Sequence, residues 1–525
     1  LTAEPVTHYN VSVDTVVYPY GADLDTSDLA FCNVTIAHAY TDPERSDNTF
    51  LTQVWLPPPA GGGGAAEEGT PEWNGRLLAV GGGGWNAGMG SYYYMDMAMA
   101  LATGYAALTL DGGVGGREVP EWGLSSSGHV DMAALRDFAS TSLSSAASLA
   151  KAVISSYYGA GPAYSYWRGC SQGGRQGYEL AQRYPDAYDG ILANAPAIYM
   201  PQVVGYDFYA QQILAESADD QGDWVYPRAC EMDAITRAAI AACDGLDGVE
   251  DGMVAAPEEC DFDPWSIVGS DVPCPPAYPG GPASEIVSSP AAAAANAAWK
   301  GARDNWGHFL WYGLGQDANL SSPVSLVTTN CTTTSNSYGT NTTCVPLFPD
   351  YVSDYWGAFL FKELPPFETE LLNMTRSNYT EYFNYGVQEY SDVIGTSNPD
   401  LTPFAAAGGK LLTIHGVADQ LIPHLGTVDY YKRALDVDSN LSDYYRLFLA
   451  PGVAHCRVGA GAYPNNAFEQ LVSWVEDGQA PESLEAWTPP NPETGERVER
   501  PLCAWPAMAQ WDGEGDVNKT ESWYC

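Results

Sequence analysis

A chain of 525 residues exceeds what a single hydrophobic core usually holds, so a core with one large insertion or a second domain is expected. Its 22 Lys+Arg against 65 Asp+Glu leave a net charge of −43, which repels phosphate backbones and anionic lipid heads and excludes nucleic acid and membrane surfaces as expected partners. No apolar run reaches the about 18 residues that a membrane-spanning helix needs, so a soluble protein is expected.

Eleven cysteines, many at short separations, accompany Asn-x-Ser/Thr sequons at Asn10, Asn33, Asn319, Asn330, Asn341, Asn373, Asn378, Asn440 and Asn518. Together they point to an oxidising, glycosylating route and a secreted eukaryotic glycoprotein. No charged and apolar leader precedes Thr2, as expected of a mature chain whose signal peptide has been removed.

In chain order, a Gly-rich charged stretch at 60–69 reads as an exposed loop. A strand at 77–80 runs into the four glycines Gly81, Gly82, Gly83 and Gly84, and a second at 105–110 runs into Asp111-Gly112-Gly113. Across 130–158, Met132, Leu135, Phe138, Leu143, Ala147, Ala150 and Ile154 recur at roughly helical spacing, which predicts the crossover helix that parallel strands require. A third strand, 164–168, follows. Further on the strand-helix alternation gives way to Pro-, Ser- and Thr-rich turns, local cysteine pairs and aromatic clusters. It resumes with a strand at 410–415, a helix at about 424–435 and a strand at 445–449. The reading is an α/β fold: a mainly parallel sheet with helices on both faces, formed by 1–202 and 403–525, with a lid domain, 203–402, inserted between them.

Gly169-Cys170-Ser171-Gln172-Gly173 satisfies G-x-S-x-G between a strand and a helical stretch. So tight a turn strains the serine backbone, needs small neighbours, and projects the hydroxyl above the sheet beside helix N–H groups suited to a developing oxyanion. A serine needs a base, and the base needs an acid to hold its tautomer. The strand at 410–415 leads to Asp419 and the strand at 445–449 leads to His455, in the Ser, Asp, His order of α/β-hydrolases. Of the seven histidines, His415 reads as core and His424 as a helix start. Asp429, Asp436 and Asp438 read as a solvated helix face and its end. The oxyanion donors expected are the N–H of Gln172 and that of Gly83 or Gly84. Assembly of the triad would bring Cys170 and Cys456, the neighbours of Ser171 and His455, close enough to bridge.

The pairs Cys170-Ser171 and His455-Cys456 with Asp419, the run 173–177, the run 188–197 and the glycine loop at 81–84 resemble the tannase and feruloyl esterase family over most of the core. That resemblance implies an α/β-hydrolase fold, a large lid between serine and acid, and hydrolysis of esters of phenolic acids. The substrate expected is a small phenolic ester or a feruloylated polysaccharide of the plant cell wall such as xylan, with galloyl esters the alternative. A degenerate, non-catalytic glycosylated binding protein on the same fold is the reading of another class. A monomer or homodimer is expected.

In 243–253, Asp244, Asp247 and Asp251 with intervening glycines can wrap oxygens around one Ca²⁺. The loop looks like that family's calcium loop, which by position adds the carbonyls of Val249 and Met253 and implies a structural ion. A Cys243–Cys260 bridge is expected to close it. Cys503 with Cys525 and Cys331 with Cys344 read as local pairs, leaving Cys32, Cys230 and Cys274 unresolved and one of them free. Trp311, Tyr351, Trp356 and Phe359 are candidates either for stacking on an aromatic acyl group or for ordinary packing.

Overall fold

The computed structural model describes every residue except 13–23, 40–48, 60–69, 218–225, 277–282, 323, 337–338, 366–367, 457–458 and 492–493. The loop expected at 60–69 therefore lies outside the described residues.

Strands β1 (Thr2–Tyr9), β2 (Leu29–Ala39), β3 (Thr49–Leu56), β4 (Arg76–Val80), β5 (Ala106–Leu110), β6 (Tyr164–Cys170), β7 (Gly190–Asn194), β8 (Lys410–Gly416) and β9 (Tyr445–Ala450) form one sheet. Their spatial order is β1-β2-β3-β5-β4-β6-β7-β8-β9. The first three strands and β5 pair antiparallel, and every pairing from β5 through β4 to β9 is parallel. The parallel half reads as nearly unbroken apolar sequence because both of its faces are covered. Residues such as Leu77, Ala79, Trp167, Ile191 and Leu411 face one layer, and their alternates Leu78, Val80, Tyr166, Leu192 and Leu412 face the other.

On the second of these faces lie α1 (Ser91–Ala102) and α9 (Ala467–Asp477), through Met97, Leu101, Leu471 and Trp474. The first face carries α2 (Ser142–Tyr158) and α3 (Gln172–Arg183). The periodicity across 130–158 is realised as a short helix Met132–Arg136, a π turn Asp137–Thr141 and α2, one continuous run with a local register change.

Between β7 and β8 no described residue joins this sheet. The segment holds α4 (Met200–Asp207), α5 (Ala229–Cys243), α6 (Ser289–Lys300) and α7 (Arg376–Tyr390), with the hairpin of Thr329–Asn336 and Gly339–Pro346. Its buried Tyr206, Trp356, Phe359, Tyr379 and Phe404 belong to the same apolar cluster as the sheet's first face, so the insertion shares a core with the sheet. The helix after β8 is α8 (His424–Val437).

Disulfides join Cys170–Cys456, Cys243–Cys260, Cys331–Cys344 and Cys503–Cys525, and Cys230 pairs with Cys274, leaving Cys32 as the free thiol. Of the sequon residues, Asn10, Asn319, Asn330, Asn373, Asn378, Asn440 and Asn518 are exposed. Asn33 is half-buried in β2 with Oδ1 fully covered, so it offers a glycan far less room, and the Asn341 side chain lies outside the described residues. No described helix is long and apolar enough to cross a membrane.

Candidate active site

Strand β6 stops at Cys170 and α3 starts at Gln172, so Ser171 carries the whole reversal, at φ 61° and ψ −120°. The turn is this tight only because its neighbours are glycines. A Cβ on Gly169 would lie 2.4 Å from the Gly173 carbonyl carbon, and one on Gly81 would lie 2.6 Å from the Gly173 Cα. Gly173 N–H donates to the Gly82 carbonyl at 2.9 Å and Trp167 Nε1 donates to the Gly173 carbonyl at 2.9 Å. The Gln176 amide clamps the glycine loop, accepting from Gly82 N and donating to the Ala87 carbonyl, both at 2.9 Å. Buried Arg175 ties α3 to Gln172, to Thr396 and to the Ala139 carbonyl.

Asp419 follows β8 and is 1 % exposed. Its Oδ2 lies 2.8 Å from His455 Nδ1, and its Oδ1 accepts from the Leu421 and Ile422 N–H groups at 2.9 Å each. Burial opposes ionisation of this carboxyl, but the charge of His455 and the bonds from His415 and His455 outweigh it and hold the group well below the ordinary carboxylate range. The His455 backbone N–H donates to Gln420 Oε1 at 3.0 Å. The Cys170–Cys456 bridge spans 286 positions of sequence and ties the residue before Ser171 to the residue after His455.

Ser171, Gln172, Gly83, Gly84 and His455 line one cavity of about 280 Å³. Its N–H groups are not equivalent. That of Gly83 donates to the Asn86 carbonyl at 3.0 Å, so of the two glycines expected as oxyanion donors Gly83 is already engaged. Among the described residues no acceptor is found for the N–H of Gly84 or of Gln172, the latter being the first residue of α3. The remaining wall is mostly apolar, from Met200, Val203, Val204, Leu421 and Ile422, with Asp207 and Tyr351 among them.

Sequence reasoning missed two contributors and misread the setting of Asp429. His415 is core, as expected, but its Nε2 lies 3.4 Å from Asp419 Oδ2 and its Nδ1 lies 2.8 Å from Thr427 Oγ1, so it backs the acid. The i,i+4 spacing of His415 and Asp419 at a strand end was the available signal. Asp207 had no signal, because only packing of the insertion brings it to the cavity. Asp429 is half-buried rather than fully solvated: it accepts from the Tyr199 and Tyr312 hydroxyls, at 3.0 and 3.2 Å. Asp436 is exposed and Asp438 stands at the helix end. Of the four aromatics, Tyr351 reaches the cavity, whereas Trp311, Trp356 and Phe359 are buried in packing.

At the acidic loop, Asp244 accepts from the N–H groups of Asp251 and Gly252 at 2.8 Å, Asp247 from Val249 at 3.0 Å, and Asp251 from Met253 at 3.2 Å. Arg500 Nη1 lies 2.5 Å from Asp251 Oδ2. Among the described residues no three His, Cys, Asp or Glu side chains converge as a metal site. The donor chemistry nevertheless suits a hard cation. Burial raises the pKa of both Asp247 and Asp251, and neighbouring Asp317, pushed up to about 6 by burial, has its Oδ1 covered and without a hydrogen-bond partner.

The family model described as "Tannase and feruloyl esterase" matches residues 67–525. A probable feruloyl esterase of Arthroderma benhamiae is 36% identical over 510 residues, covering 95% of this chain and 86% of that protein. A tannase of Aspergillus oryzae is 27% identical over 551 residues, covering 95% and 87%. The solved tannin acyl hydrolase from Aspergillus niger superposes with a TM-score of 0.81 at 27% identity, covering 100% of this chain and 90% of that one. With its mainly parallel sheet and its glycine-framed serine turn, the chain is a carboxylic ester hydrolase of the tannase and feruloyl esterase family, built on the α/β-hydrolase fold.

Proposed function

We propose that the protein is a secreted serine esterase that releases phenolic acids of the ferulic type from plant cell-wall esters through an acyl-enzyme. The observation that carries this reading is the His455–Asp419 contact of 2.8 Å beside a serine in a strained strand-to-helix turn, both opening on one cavity. Ser171 Oγ attacks the ester carbonyl while His455 takes its proton, and Asp419 holds the imidazole in the tautomer that can do so. The tetrahedral oxyanion lies against the free N–H groups of Gln172 and Gly84. His455 then returns the proton to the departing alcohol, and a water activated by the same imidazole cleaves the acyl-enzyme.

The 36% identical relative carries the name probable feruloyl esterase, which favours a feruloyl over a galloyl substrate. Exposed sequon residues and five disulfides support an extracellular setting. A structural Ca²⁺ at the loop would be held by the carboxylates of Asp244, Asp247 and Asp251 and the carbonyls of Val249 and Met253. It would offset their mutual repulsion beneath the Cys243–Cys260 bridge.

Hydrolysis of methyl ferulate and methyl gallate, measured side by side for wild type and Ser171→Ala, tests the reading. Ferulate turnover that disappears in the variant is expected; a preference for gallate would make the protein a tannase, and undiminished turnover in the variant would remove Ser171 from the chemistry.

A further inference from the structure

The wall formed by Met200, Val203, Val204, Leu421 and Ile422 is apolar apart from two groups that arrive from distant parts of the insertion. Asp207 ends α4, is 2 % exposed and lines the cavity, and its Oδ1 is covered by protein without a hydrogen-bond partner. Tyr351 stands within hydrogen-bonding reach of that carboxyl, but the contact is poorly aligned, and its Oη, like Asp207 Oδ1, has no partner of good geometry. The Tyr351 backbone is fixed, because Trp85 Nε1 donates to its carbonyl at 3.0 Å and the Trp85 indole packs into the core 5.0 Å from the Phe359 ring. Covered polar groups are normally matched, and a pair whose only mutual contact is poorly aligned, at the wall of a substrate cavity, marks where a ligand can supply the missing partner.

The charge state narrows the ligand. Burial and the nearby Asp419 raise the pKa of Asp207 well above the usual carboxylate range, more than Tyr351 can offset, which favours the un-ionised form, with an O–H to donate and a carbonyl oxygen to accept. The basic side chains lining the cavity are each engaged by a carboxylate: Arg168 by Asp96 at 2.5 Å and His455 by Asp419 at 2.8 Å. An anionic acyl substituent would meet no uncommitted cation there, whereas a neutral hydroxyl can both donate to Asp207 and exchange a bond with Tyr351.

We propose that Asp207 and Tyr351 are the specificity residues of the acyl site and read a free phenolic hydroxyl on an uncharged aromatic acyl group. The inference rests on the assignment of Ser171 as the nucleophile. It implies discrimination by a missing hydrogen bond: an analogue whose hydroxyl is methylated or absent leaves two covered polar groups unmatched in the enzyme. Ring size alone would discriminate far more weakly.

The test measures kcat/KM for methyl ferulate, methyl 3,4-dimethoxycinnamate, methyl cinnamate and monomethyl terephthalate, and in parallel for methyl gallate against its trimethyl ether. Wild type is expected to favour the free hydroxyl by on the order of 100-fold or more and to reject the terephthalate. In Tyr351→Phe, which removes one oxygen, and in Asp207→Leu the ratio between the hydroxylated ester and its methyl ether should fall by about tenfold or more. Wild type that cleaves the ethers or the terephthalate as well as the phenols overturns the inference. So do variants that slow all substrates together at an unchanged ratio, which is what a purely structural role would give. If wild type cleaves no ester, methyl cinnamate included, and Ser171 resists a fluorophosphonate, the esterase reading fails and this inference with it.

Discussion

At the residue scale the chemistry depends on how few groups are free to move. Asp419 receives two backbone N–H bonds and sits between His455 and His415, so its orientation is over-determined. Asp419→Asn keeps the shape but removes the charge and favours the wrong imidazole tautomer, and kcat should fall by roughly 10⁴ with KM little changed. His415→Leu is a positioning change that acts through Asp419. Because the native carboxyl is held low partly by His415, its pKa should rise in the variant. Stability from a depressed carboxyl is present above its unfolded pKa and is lost as pH falls through the folded one. The variant should therefore lose thermal stability at a higher pH on acidification than wild type, as a melting series across the acid range would read. The candidate residues Ser171, Asp419 and His455 were legible in the sequence because each follows a strand end, and a short motif with a fixed order survives without knowledge of packing. Tyr351 was a candidate by its aromatic character alone, whereas Asp207 carried no signal, since its place at the cavity depends on how the insertion folds.

At the element scale the serine turn is a problem of glycine packing. Two close approaches, of Gly173 to Gly81 and of Gly173 to Gly169, bring α3 against the end of β4 and β6, and no side chain fits between them. Gly169→Ala should destabilise by about 1–3 kcal/mol and lower kcat further by displacing Ser171, measurable as a shift in denaturation midpoint together with kcat. Five of the six parallel strands and the crossover run were readable from apolar runs and period, but β7 and the N-terminal antiparallel strands β1–β3 were not singled out as strands. The alternation of β1–β3 is broken by polar residues such as Asn33, Thr35 and Thr52, and their place in the sheet is set by pairing with β5 rather than by local pattern. The crossover helix was legible, but its π turn was not, because a one-residue register change hardly alters the spacing of apolar positions.

Across the whole molecule two devices hold distant parts of the chain together. The Cys170–Cys456 bridge closes a loop of 286 positions around the insertion, so Cys170→Ala with Cys456→Ala should lower stability by about 2–5 kcal/mol, with kcat reduced before unfolding begins. The other is the acidic loop, where Asp251 meets Arg500 of the C-terminal segment. With a net charge of −43, the proposed cation at Asp244, Asp247 and Asp251 would relieve local repulsion. Added Ca²⁺ at about 100 times its Kd should stabilise by about 2.7 kcal/mol over an EDTA-treated sample, and Asp247→Asn with Asp251→Asn should abolish that difference. The insertion itself was visible only as a loss of strand-helix alternation. That its aromatic cluster runs on into the core of the sheet is a property of tertiary packing that no window of sequence carries.

The most direct test of the central claim is to treat the purified protein with a fluorophosphonate and map the adduct by peptide mass spectrometry. Labelling confined to Ser171, with ester hydrolysis lost in proportion, is the predicted result. Hydrolysis that continues after Ser171 is fully labelled, or an adduct on another residue with Ser171 unmodified, would contradict the account.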